Sequence, residues 1–390
     1  MIQLNRKEDC CGCTACESIC GKNAIVLKPD EEGFLYPQVD ASKCVDCHLC
    51  EKVCPIIARK NGVKEIENQK FYAVRHKDKD ILMNSSSGGA FSAIAQAVLD
   101  QGGIVYGAAY DENMVVRHVA IDKPEDLWKL RGSKYVQSDL RGIYQEVKSF
   151  LSLGRFVLFS GTPCQIEGLK LFLRLPHENL FTIDLVCHGV GSPSVFSGYL
   201  DYLQKNHRKK IVWLNMRDKE KNGWKRNSPL KLYFDNGKTS YLNSNEISWL
   251  KIYGSHMVIR PSCHNCKYTN LQRPGDITLA DFWDLKGRRN DIFSKEGTSL
   301  CIVNTQRGES MIKKLLNDIN LWNVTLDDAL QPCLERPTLA NENRDEFWAF
   351  YNQNGYRHTF KKFFYIPMIT RYKWLVKDQI AKLIGYKPDR

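Results

Sequence analysis

The sequence predicts an α/β (α+β) body that follows a small cysteine-rich domain and precedes a basic, helical C-terminal segment. From Lys70 onward, strand-like apolar runs alternate with stretches of helical period, and this alternation predicts the body. Nine of the 15 cysteines fall in the first 54 residues, which predicts the separate domain. With 390 residues the chain can form two or three domains, and we place them at 1–60, 68–320 and 321–390.

The composition is that of a globular protein. Hydrophobic residues make up 43% of the chain and charged residues 26%, which excludes a disordered polypeptide. The sequence has neither a membrane-spanning apolar run nor a signal-peptide pattern, so we expect a cytoplasmic protein with reduced thiols. The formal charge is +12, but segment 357–390 supplies +7 of it through nine Lys or Arg and two Asp. We therefore expect no nucleic-acid partner.

Eight of the N-terminal cysteines form two identical runs that are offset by 34 residues. Both runs have the pattern C-x2-C-x2-C-x3-C, in which three thiolates turn toward one point and the fourth reaches the neighbouring cluster. Zinc is the alternative, but zinc sites usually take two separated cysteine pairs. The pattern predicts two 4Fe-4S clusters, one held by Cys10, Cys13, Cys16 and Cys54, and the other by Cys44, Cys47, Cys50 and Cys20.

This segment resembles a bacterial-type two-cluster ferredoxin domain over roughly residues 1 to 57. Pro55 follows the last cysteine of the second run, as in that motif, whereas Gly21 stands in the equivalent place of the first run. Glycine loosens the backbone there without moving the thiolate, so we expect both clusters to form. Cys11 has no place in either set of four ligands, and we interpret it as a bystander thiol.

Four cysteines in the body are candidates for a further metal site. Cys263 and Cys266 form a CxxC pair in a stretch typical of a loop, which favours half of a metal site over a thioredoxin-like pair. Cys164 and Cys187 each follow a buried apolar run, and parallel strands deliver such residues to one edge of a sheet. The alternative is that these separated cysteines are small core residues.

Two loops are candidates for binding an anionic cofactor. The stretch 85–89 precedes a helix, where exposed N–H groups and the helix dipole favour an anion. In the stretch 130–138, Arg131 and Lys134 lie beside a glycine turn, which suits a phosphate or an electron-rich cofactor oxygen. The alternatives are an ordinary helix start and a solvated loop. Neither GxGxxG nor GxxxxGK[ST] occurs, which argues against a standard Rossmann site and a P-loop.

Five motifs follow the cysteine-rich segment in a fixed order: SSSGGAFSA, RGSKYVQS, GTPCQIEGL, VCHGVGSP and CHNCKYTNLQRPGDITLADFW. Together they resemble the coenzyme F420 hydrogenase/dehydrogenase beta-subunit family over roughly residues 1 to 320. The resemblance implies a flavin, FAD with FMN as the alternative, and a third 4Fe-4S cluster in the catalytic domain. It implies that this cluster is held by Cys164, Cys187, Cys263 and Cys266. It implies flavin-site residues Ser87, Gly88, Gly89, Gly132, Ser133, Lys134 and Tyr135.

The resemblance implies an iron–sulfur flavoprotein oxidoreductase that moves electrons between its clusters and a flavin, which reduces or oxidises a small-molecule or deazaflavin acceptor. A flavin is needed because clusters exchange single electrons, whereas organic substrates usually take two with a proton. His188 directly follows Cys187 and is the candidate proton donor or cluster-tuning hydrogen-bond partner, with a purely structural role as the alternative. Longer bacterial relatives are often associated with surface-polysaccharide pathways, which leaves the acceptor open.

Two other classes of function compete with the enzyme. One is an electron-transfer subunit that serves a partner enzyme and has no substrate of its own, and the other is a regulatory or nucleic-acid-binding cluster protein. We expect a redox partner protein or reduced ferredoxin as the electron source. From Trp374 onward the sequence predicts a basic amphipathic helix that suits an anionic membrane surface on the cytoplasmic side. The alternative is a helix that buries its apolar face on its own domain.

Overall fold

A computed structural model describes residues 1–58, 69–243, 246–285 and 287–365. The chain divides into two compact units, Met1–Asn341 and Glu342–Arg390. The described strands are β1 (Ile25–Pro29), β2 (Leu35–Val39), β3 (Lys70–His76), β4 (Ile104–Tyr110), β5 (Val116–Ile121), β6 (Val157–Gly161), β7 (Leu180–Leu185), β8 (Ile211–Asn215), β9 (Lys231–Phe234), β10 (Thr239–Tyr241), β11 (Ile277–Asp281), β12 (Ser299–Val303) and β13 (Ile319–Asn323). The described α-helices are α1 (Ala15–Ser18), α2 (Leu49–Lys52), α3 (Pro55–Ala58), α4 (Lys79–Met83), α5 (Ala90–Leu99), α6 (Ile143–Ser152), α7 (Pro163–Leu173), α8 (Pro193–His207), α9 (Trp249–Gly254), α10 (Gln306–Lys314), α11 (Leu326–Ala329) and α12 (Arg344–Phe364).

The N-terminal segment repeats one backbone path twice. Thr14 and His48 both adopt left-handed conformations, with φ of 67° and 58°, and each begins a four-residue helix, α1 or α2. Gly12 and Asp46, two residues earlier in each run, also have positive φ, of 70° and 49°. The positions in each pair are 34 residues apart, which is the offset between the two cysteine runs. Strands β1 and β2 pair antiparallel between the two runs.

The body is built on an eight-stranded sheet with the order β13-β3-β12-β11-β7-β6-β4-β5. Its centre is parallel, because β4 pairs with β6, β6 with β7, and β7 with β11 in the same direction. The flanking pairs are antiparallel. The carboxyl ends of parallel strands meet at one edge, so the residues that follow β6 and β7 lie side by side.

Helices cover both faces of the sheet, which confirms the predicted α/β class. Val105 faces a core cluster that contains residues of α5 and α10. Its neighbours Ile104 and Tyr106 face a second cluster with α6 and α7, as the two-residue period of a strand requires. Three residues of the cysteine-rich segment complete this second cluster: Cys13, Ala15 and Val53. The segment therefore packs on the α6 and α7 face of the sheet.

The elements predicted around the candidate motifs are present. The helix predicted after residues 85–89 is α5. The buried apolar runs before Cys164 and Cys187 are strands β6 and β7. A second sheet, with the order β10-β9-β8, has no counterpart among the elements predicted from the sequence. The domain boundaries at 1–60, 68–320 and 321–390 stay a prediction.

The described part of the second unit is helix α12, which bends at Gly355, where φ is 68°. The bend brings aromatic side chains of the two halves together, since the rings of Phe347 and Phe363 lie 5.4 Å apart. Lys362 also pairs with Glu346 across the bend, at 2.6 Å. The predicted helix from Trp374 onward lies outside the described residues. Within the described ranges, none of the helices has the length and apolar character needed to span a bilayer.

Candidate metal centre

The cysteines assigned to the first cluster lie together. Burial raises the pKa of the Cys16 thiol, and the neighbouring thiols of Cys10 and Cys54 raise it further. A hydrogen bond with Cys11 lowers the pKa of Cys13, but burial and the charges of Cys16 and Cys54 raise it overall. Thiols packed this closely are stable as thiolates only when a cation binds them. The donor set fits a 4Fe-4S cluster, which takes four cysteine thiolates.

Two cysteines assigned to the second cluster share a small hydrophobic core with cysteines of the first. Cys50 is buried there with Cys16 and Cys54, and Cys20 packs against these three residues. The Ala24 N–H donates a hydrogen bond to Cys20 Sγ at 3.3 Å. Hydrogen bonds to the sulfurs are among the factors that set the reduction potential of a cluster. Cys44 is half-buried and Cys47 is exposed.

Among the described residues, no three His, Cys, Asp or Glu side chains converge on a point where one metal ion could bind. This finding concerns single ions such as zinc, whose ligands all touch one atom. The cysteines of a 4Fe-4S cluster each bind a different iron and therefore surround a wider group.

The four cysteines of the predicted third cluster line one cavity of about 250 Å³. Cys164 is in the first turn of α7, directly after β6, and Cys187 follows β7, so both lie at the carboxyl edge of the parallel strands. Cys263 lies in the 3₁₀ helix Pro261–Asn265, and Cys266 follows that helix. The fold therefore collects four thiols from three separate parts of the chain at one place.

The thiols of this cavity interact electrostatically. Burial raises the pKa of Cys263 to about 12, with further contributions from Cys266 and Cys164. Burial also raises the pKa of Cys187, together with the charges of Cys263, Cys164 and Cys266. The Tyr268 N–H donates to Cys266 Sγ at 3.4 Å. These four donors fit a third 4Fe-4S cluster, by the chemistry of their sulfurs and by their common cavity.

Cys11 lies between the cysteines of the first predicted cluster and those of the third. Its thiol interacts electrostatically with Cys13, a member of the first set, and with Cys164, a member of the third. It lines the same cavity as the four cysteines of the third set. The interpretation of Cys11 as a bystander thiol rested on spacing, which gives no information about contacts between distant segments.

His188 is enclosed by other side chains at the edge of this cavity. Its Nε2 lies 2.9 Å from His256 Nε2, and its Nδ1 lies 3.4 Å from Cys333 Sγ. Burial lowers the pKa of His188 to about 4, and the nearby His256 lowers it further. The Thr338 hydroxyl donates to the His188 carbonyl at 2.6 Å. These contacts hold the ring next to Cys187.

The two candidate cofactor loops contact each other. The Ser133 N–H donates to Ser86 Oγ at 2.9 Å, and Arg131 Nε donates to Ser92 Oγ at 3.1 Å. Gly132 and Ser133 are exposed, whereas Ser86 and Ser87 are half-buried. Gly132 has a φ of 82° and has open space where a side chain would be. The part of these loops that can accept a ligand is therefore the exposed turn at 132–133.

Other residues of the predicted flavin site make contacts within the protein that stabilise the fold. A Cβ on Gly88 would lie 2.2 Å from the Val74 carbonyl oxygen, so this glycine lets the loop approach strand β3. Gly89 has a φ of 83° where helix α5 begins. Lys134 is buried, and its Nζ donates to the carbonyls of Lys129 and Arg131, at 3.2 and 2.9 Å.

Tyr135 is the last residue of that predicted set. Its hydroxyl accepts a hydrogen bond from a guanidinium nitrogen of Arg217 at 3.2 Å. Arg217 is buried, and it also pairs with Asp281 at the end of β11. The structure thus places Tyr135 against a buried ion pair.

Three family models match the chain. The model described as "Coenzyme F420 hydrogenase/dehydrogenase, beta subunit N-term" matches residues 71–143, and the corresponding model of the carboxyl-terminal part of this beta subunit matches 154–328. These two matches together span more than half of the chain. The chain belongs to the coenzyme F420 hydrogenase/dehydrogenase beta-subunit family. A "4Fe-4S dicluster domain" model matches residues 9–58.

One similar solved structure is a chain of the F420-reducing NiFe hydrogenase complex from Methanosarcina barkeri, determined with xenon. The two chains are 16% identical, the match covers 77% of this chain and 94% of that one, and the TM-score is 0.45. No curated protein matches the chain.

Membership of the F420 hydrogenase/dehydrogenase beta-subunit family confirms the resemblance seen in the five motifs. The chain is an iron–sulfur electron-transfer protein of an oxidoreductase family, and residues 9–58 are a 4Fe-4S dicluster domain. The individual ligands, the flavin-site residues and the role of His188 stay predictions.

Two residues that connect the dicluster domain to the cavity of the third site could not be recognised from the sequence as part of the site. Arg260 is fully buried, three positions before Cys263, and Gln137 lines the cavity. The Gln137 amide donates to the Cys11 carbonyl at 3.2 Å. The sequence signal was weak, because an arginine near a CxxC pair and a glutamine in a loop are usually exposed.

Proposed function

We propose that the chain is a cytoplasmic iron–sulfur flavoprotein oxidoreductase with three 4Fe-4S clusters and a non-covalent flavin, FAD with FMN as the alternative. Its acceptor is a small molecule or a deazaflavin, and its electrons come from a redox partner protein or reduced ferredoxin. Bound clusters supply one-electron transfer, and a bound flavin supplies the conversion between one-electron and two-electron steps. On the resemblance alone, we also propose a setting in surface-polysaccharide biosynthesis.

The observation that carries this proposal is the cavity where four cysteines of the body meet beside the dicluster domain. The Cys11 thiol of the dicluster domain interacts electrostatically with the Cys164 thiol of the body, and both line this cavity. A cluster held by the four body cysteines would therefore be next to the first cluster of the dicluster domain. This adjacency supports electron passage from the dicluster domain into the body.

Contacts of the chain's own residues support the flavin placement. The exposed turn at Gly132 and Ser133 faces the serine loop at the start of α5, and the two are joined by the hydrogen bond from Ser133 to Ser86. A guanidinium beside this turn, that of Arg131, suits a diphosphate. Two residues that follow this turn hold it in place. Lys134 donates to the Arg131 carbonyl, and the Tyr135 hydroxyl accepts from Arg217.

We propose that His188 tunes the third cluster rather than donating a proton to substrate. Both of its ring nitrogens are engaged, one with His256 and one with Cys333. A hydrogen-bonded residue directly after a ligand orients that ligand and modifies the electronic properties of the metal.

An iron count tests the three clusters. Anaerobically reconstituted wild-type protein should contain about twelve irons and a similar amount of sulfide per chain, from three clusters of four. Cys263→Ser should lose roughly a third of this iron, because it removes one ligand of the third cluster. Cys301→Ser is the matched control, since Cys301 is a buried core cysteine outside the cavity. About eight irons in the wild type would contradict the third cluster.

A charge substitution at the exposed turn tests the flavin. Ser133→Asp places a carboxylate beside the proposed diphosphate position without filling the core, so we expect roughly tenfold weaker flavin binding. Ser133→Asn is the matched control, because it has a similar size and no charge. Flavin content after anaerobic purification and binding by fluorescence quenching measure the effect. Equal affinity in both variants would place the flavin elsewhere.

The alternative function is an electron-transfer subunit that serves a partner enzyme. The self-contained dicluster domain favours it, because such a domain needs only a partner to deliver electrons. A pure carrier would contain all its clusters but no flavin. It would also transfer electrons to one-electron acceptors without turning over any two-electron acceptor.

A further inference from the structure

Arg260 connects the dicluster domain to the loop of the third site. Its side chain is 0% exposed. Nε donates to the Cys10 carbonyl at 2.8 Å, and one terminal nitrogen donates to the Leu35 carbonyl at 3.0 Å. The other terminal nitrogen donates to Gln137 Oε1 at 2.8 Å. The guanidinium is therefore hydrogen-bonded to two separate segments of the dicluster domain and to one side chain that lines the cavity.

The backbone of Arg260 belongs to the third site. Its N–H donates to the Val190 carbonyl at 3.0 Å, which fixes it to the stretch that follows Cys187 and His188. Its carbonyl accepts from the Cys263 N–H at 2.9 Å. One residue thus contacts the backbone of a ligand of the first set through its side chain, and the backbone of a ligand of the third set through its main chain.

The surroundings of the guanidinium are built to receive it. It packs 4.3 Å from the ring centre of Tyr36 and 5.3 Å from that of Phe34. Gly12 leaves room on another side, since a Cβ there would lie 2.8 Å from a guanidinium nitrogen. This is a planar cation with a shaped pocket, which a lysine would not fill in the same way.

The charge of Arg260 has no carboxylate partner among the described residues, because its three side-chain acceptors are neutral oxygens. Burying a cation without a compensating negative charge is costly. Thiolates that bind iron, and the net negative clusters that they form, would supply the missing negative charge.

We propose that Arg260 is a positioning residue that joins the first and third cluster sites and stabilises the reduced, more negative state of both clusters. This inference rests on the proposed third cluster. A fixed positive charge near two clusters raises both reduction potentials, since reduction adds negative charge to each. The second cluster, held by Cys20, Cys44, Cys47 and Cys50, has no such contact with Arg260 and serves as an internal reference.

The test uses the full chain with all clusters reconstituted and follows each potential by anaerobic titration with electron paramagnetic resonance. Arg260→Met should lower the potentials of the first and third clusters and leave the second nearly unchanged. Arg260→Lys keeps the charge and should restore most of the shift. Arg75→Met is the matched control, because Arg75 also donates to neutral oxygens, those of Thr298 and Gly297, away from the cysteines.

Each outcome decides a different point. Fully loaded Arg260→Met with unchanged potentials, or an equal shift in Arg75→Met, would overturn the proposal. A shift in Arg260→Lys as large as that in Arg260→Met would also overturn it, since charge would not be the cause. About eight irons in the wild type would instead show that the third cluster, and therefore the proposed function, is wrong.

Discussion

Gly12 occupies a position where the dicluster domain closely approaches two side chains of the body, those of Gln137 and Arg260. Its φ is 70°, and a Cβ there would lie 2.4 Å from Gln137 Nε2. Both the conformation and the space favour glycine. Gly12, one of the two residues between Cys10 and Cys13, therefore contributes to the spacing of the cysteines and to the contact with Gln137 and Arg260.

We expect Gly12→Ala to lower the free energy of unfolding by about 1 to 3 kcal/mol, because it adds both backbone strain and a steric clash. Urea denaturation, with iron content measured in parallel, checks this. Gly21→Ala is the control, since Gly21 is in the same domain and a Cβ there meets nothing within 4 Å. That variant should stay within about 0.5 kcal/mol of the wild type. Equal losses in the two variants would contradict the role of close packing.

Lys219 holds the serine loop from inside the protein. Its Nζ donates to the carbonyls of Ser87, Leu82 and Glu296 at 2.6 to 2.7 Å. Burial lowers the pKa of Lys219 from 10.5 to about 7. Between these two values the unfolded chain binds more protons at this position than the folded chain does. The contribution of Lys219 to stability therefore rises with pH across this window.

We expect the stability difference between wild type and Lys219→Met to change in favour of the wild type as pH rises from about 7 to about 10. Urea unfolding of both proteins across this range measures the difference, which isolates this residue from the titrating cysteines. Lys77→Met is the control, because Lys77 also donates to two carbonyls but is exposed. Parallel pH profiles for wild type and Lys219→Met would show that the lysine keeps its ordinary protonation.

Among the elements, helix α8 ties the body to the dicluster domain at its first turn. Ser192 caps the helix, since its Oγ accepts from the Val195 N–H at 3.2 Å. The same hydroxyl donates to the Glu32 carbonyl of the dicluster domain at 2.6 Å. A capping residue that also contacts the domain next to it couples helix stability to domain packing.

We expect Ser192→Ala to cost about 1 to 2 kcal/mol, because it removes a cap and the shorter of two hydroxyl hydrogen bonds to the Glu32 carbonyl, the other coming from Ser194 at 3.0 Å. Ser248→Ala, which removes the cap of α9 without touching the dicluster domain, should cost about 1 kcal/mol. Only Ser192→Ala should speed hydrogen exchange around β1 and β2. Faster exchange there in both variants, or in neither, would argue against this coupling.

The positions of the elements near the site could be predicted from sequence, but their long-range neighbours could not. Helix α5 and the strands that end before Cys164 and Cys187 followed from apolar runs and turn residues. Gly88 is a predicted flavin-site residue, and the structure also places it against Val74 and Ser299, which are on β3 and β12. The pairing of β3 with β12 brings together residues more than 200 positions apart. No local pattern encodes that contact.

The four body cysteines show the same limit. Sequence spacing left their assembly as one of two alternatives, and the family resemblance favoured it. Arg260 and Cys11 could not be recognised as connecting residues, because their partners lie about 250 and 150 positions away. Their roles depend on how the dicluster domain packs on the sheet, which emerges only from the fold.

On the scale of the whole molecule, positive charge is unevenly distributed. Segment 357–390 carries +7 of the net +12, and it alternates these charges with large apolar residues. The described part of this unit, helix α12, already packs aromatic rings against one another across its bend. Basic and apolar residues together suit the surface of an anionic bilayer, where charge attraction and apolar burial add.

We expect the full chain to sediment with vesicles that contain anionic lipid, and to do so less as salt is raised, because salt screens charge attraction. Removal of residues 366–390 should abolish sedimentation, since that stretch carries six Lys or Arg against two Asp. Two controls separate charge from apolar contact: neutral vesicles, and a full chain in which these six basic residues are replaced by Gln. If the full and shortened chains stay equally in the supernatant with anionic vesicles, the segment does not bind membranes, and docking on its own unit becomes the better account of its apolar residues.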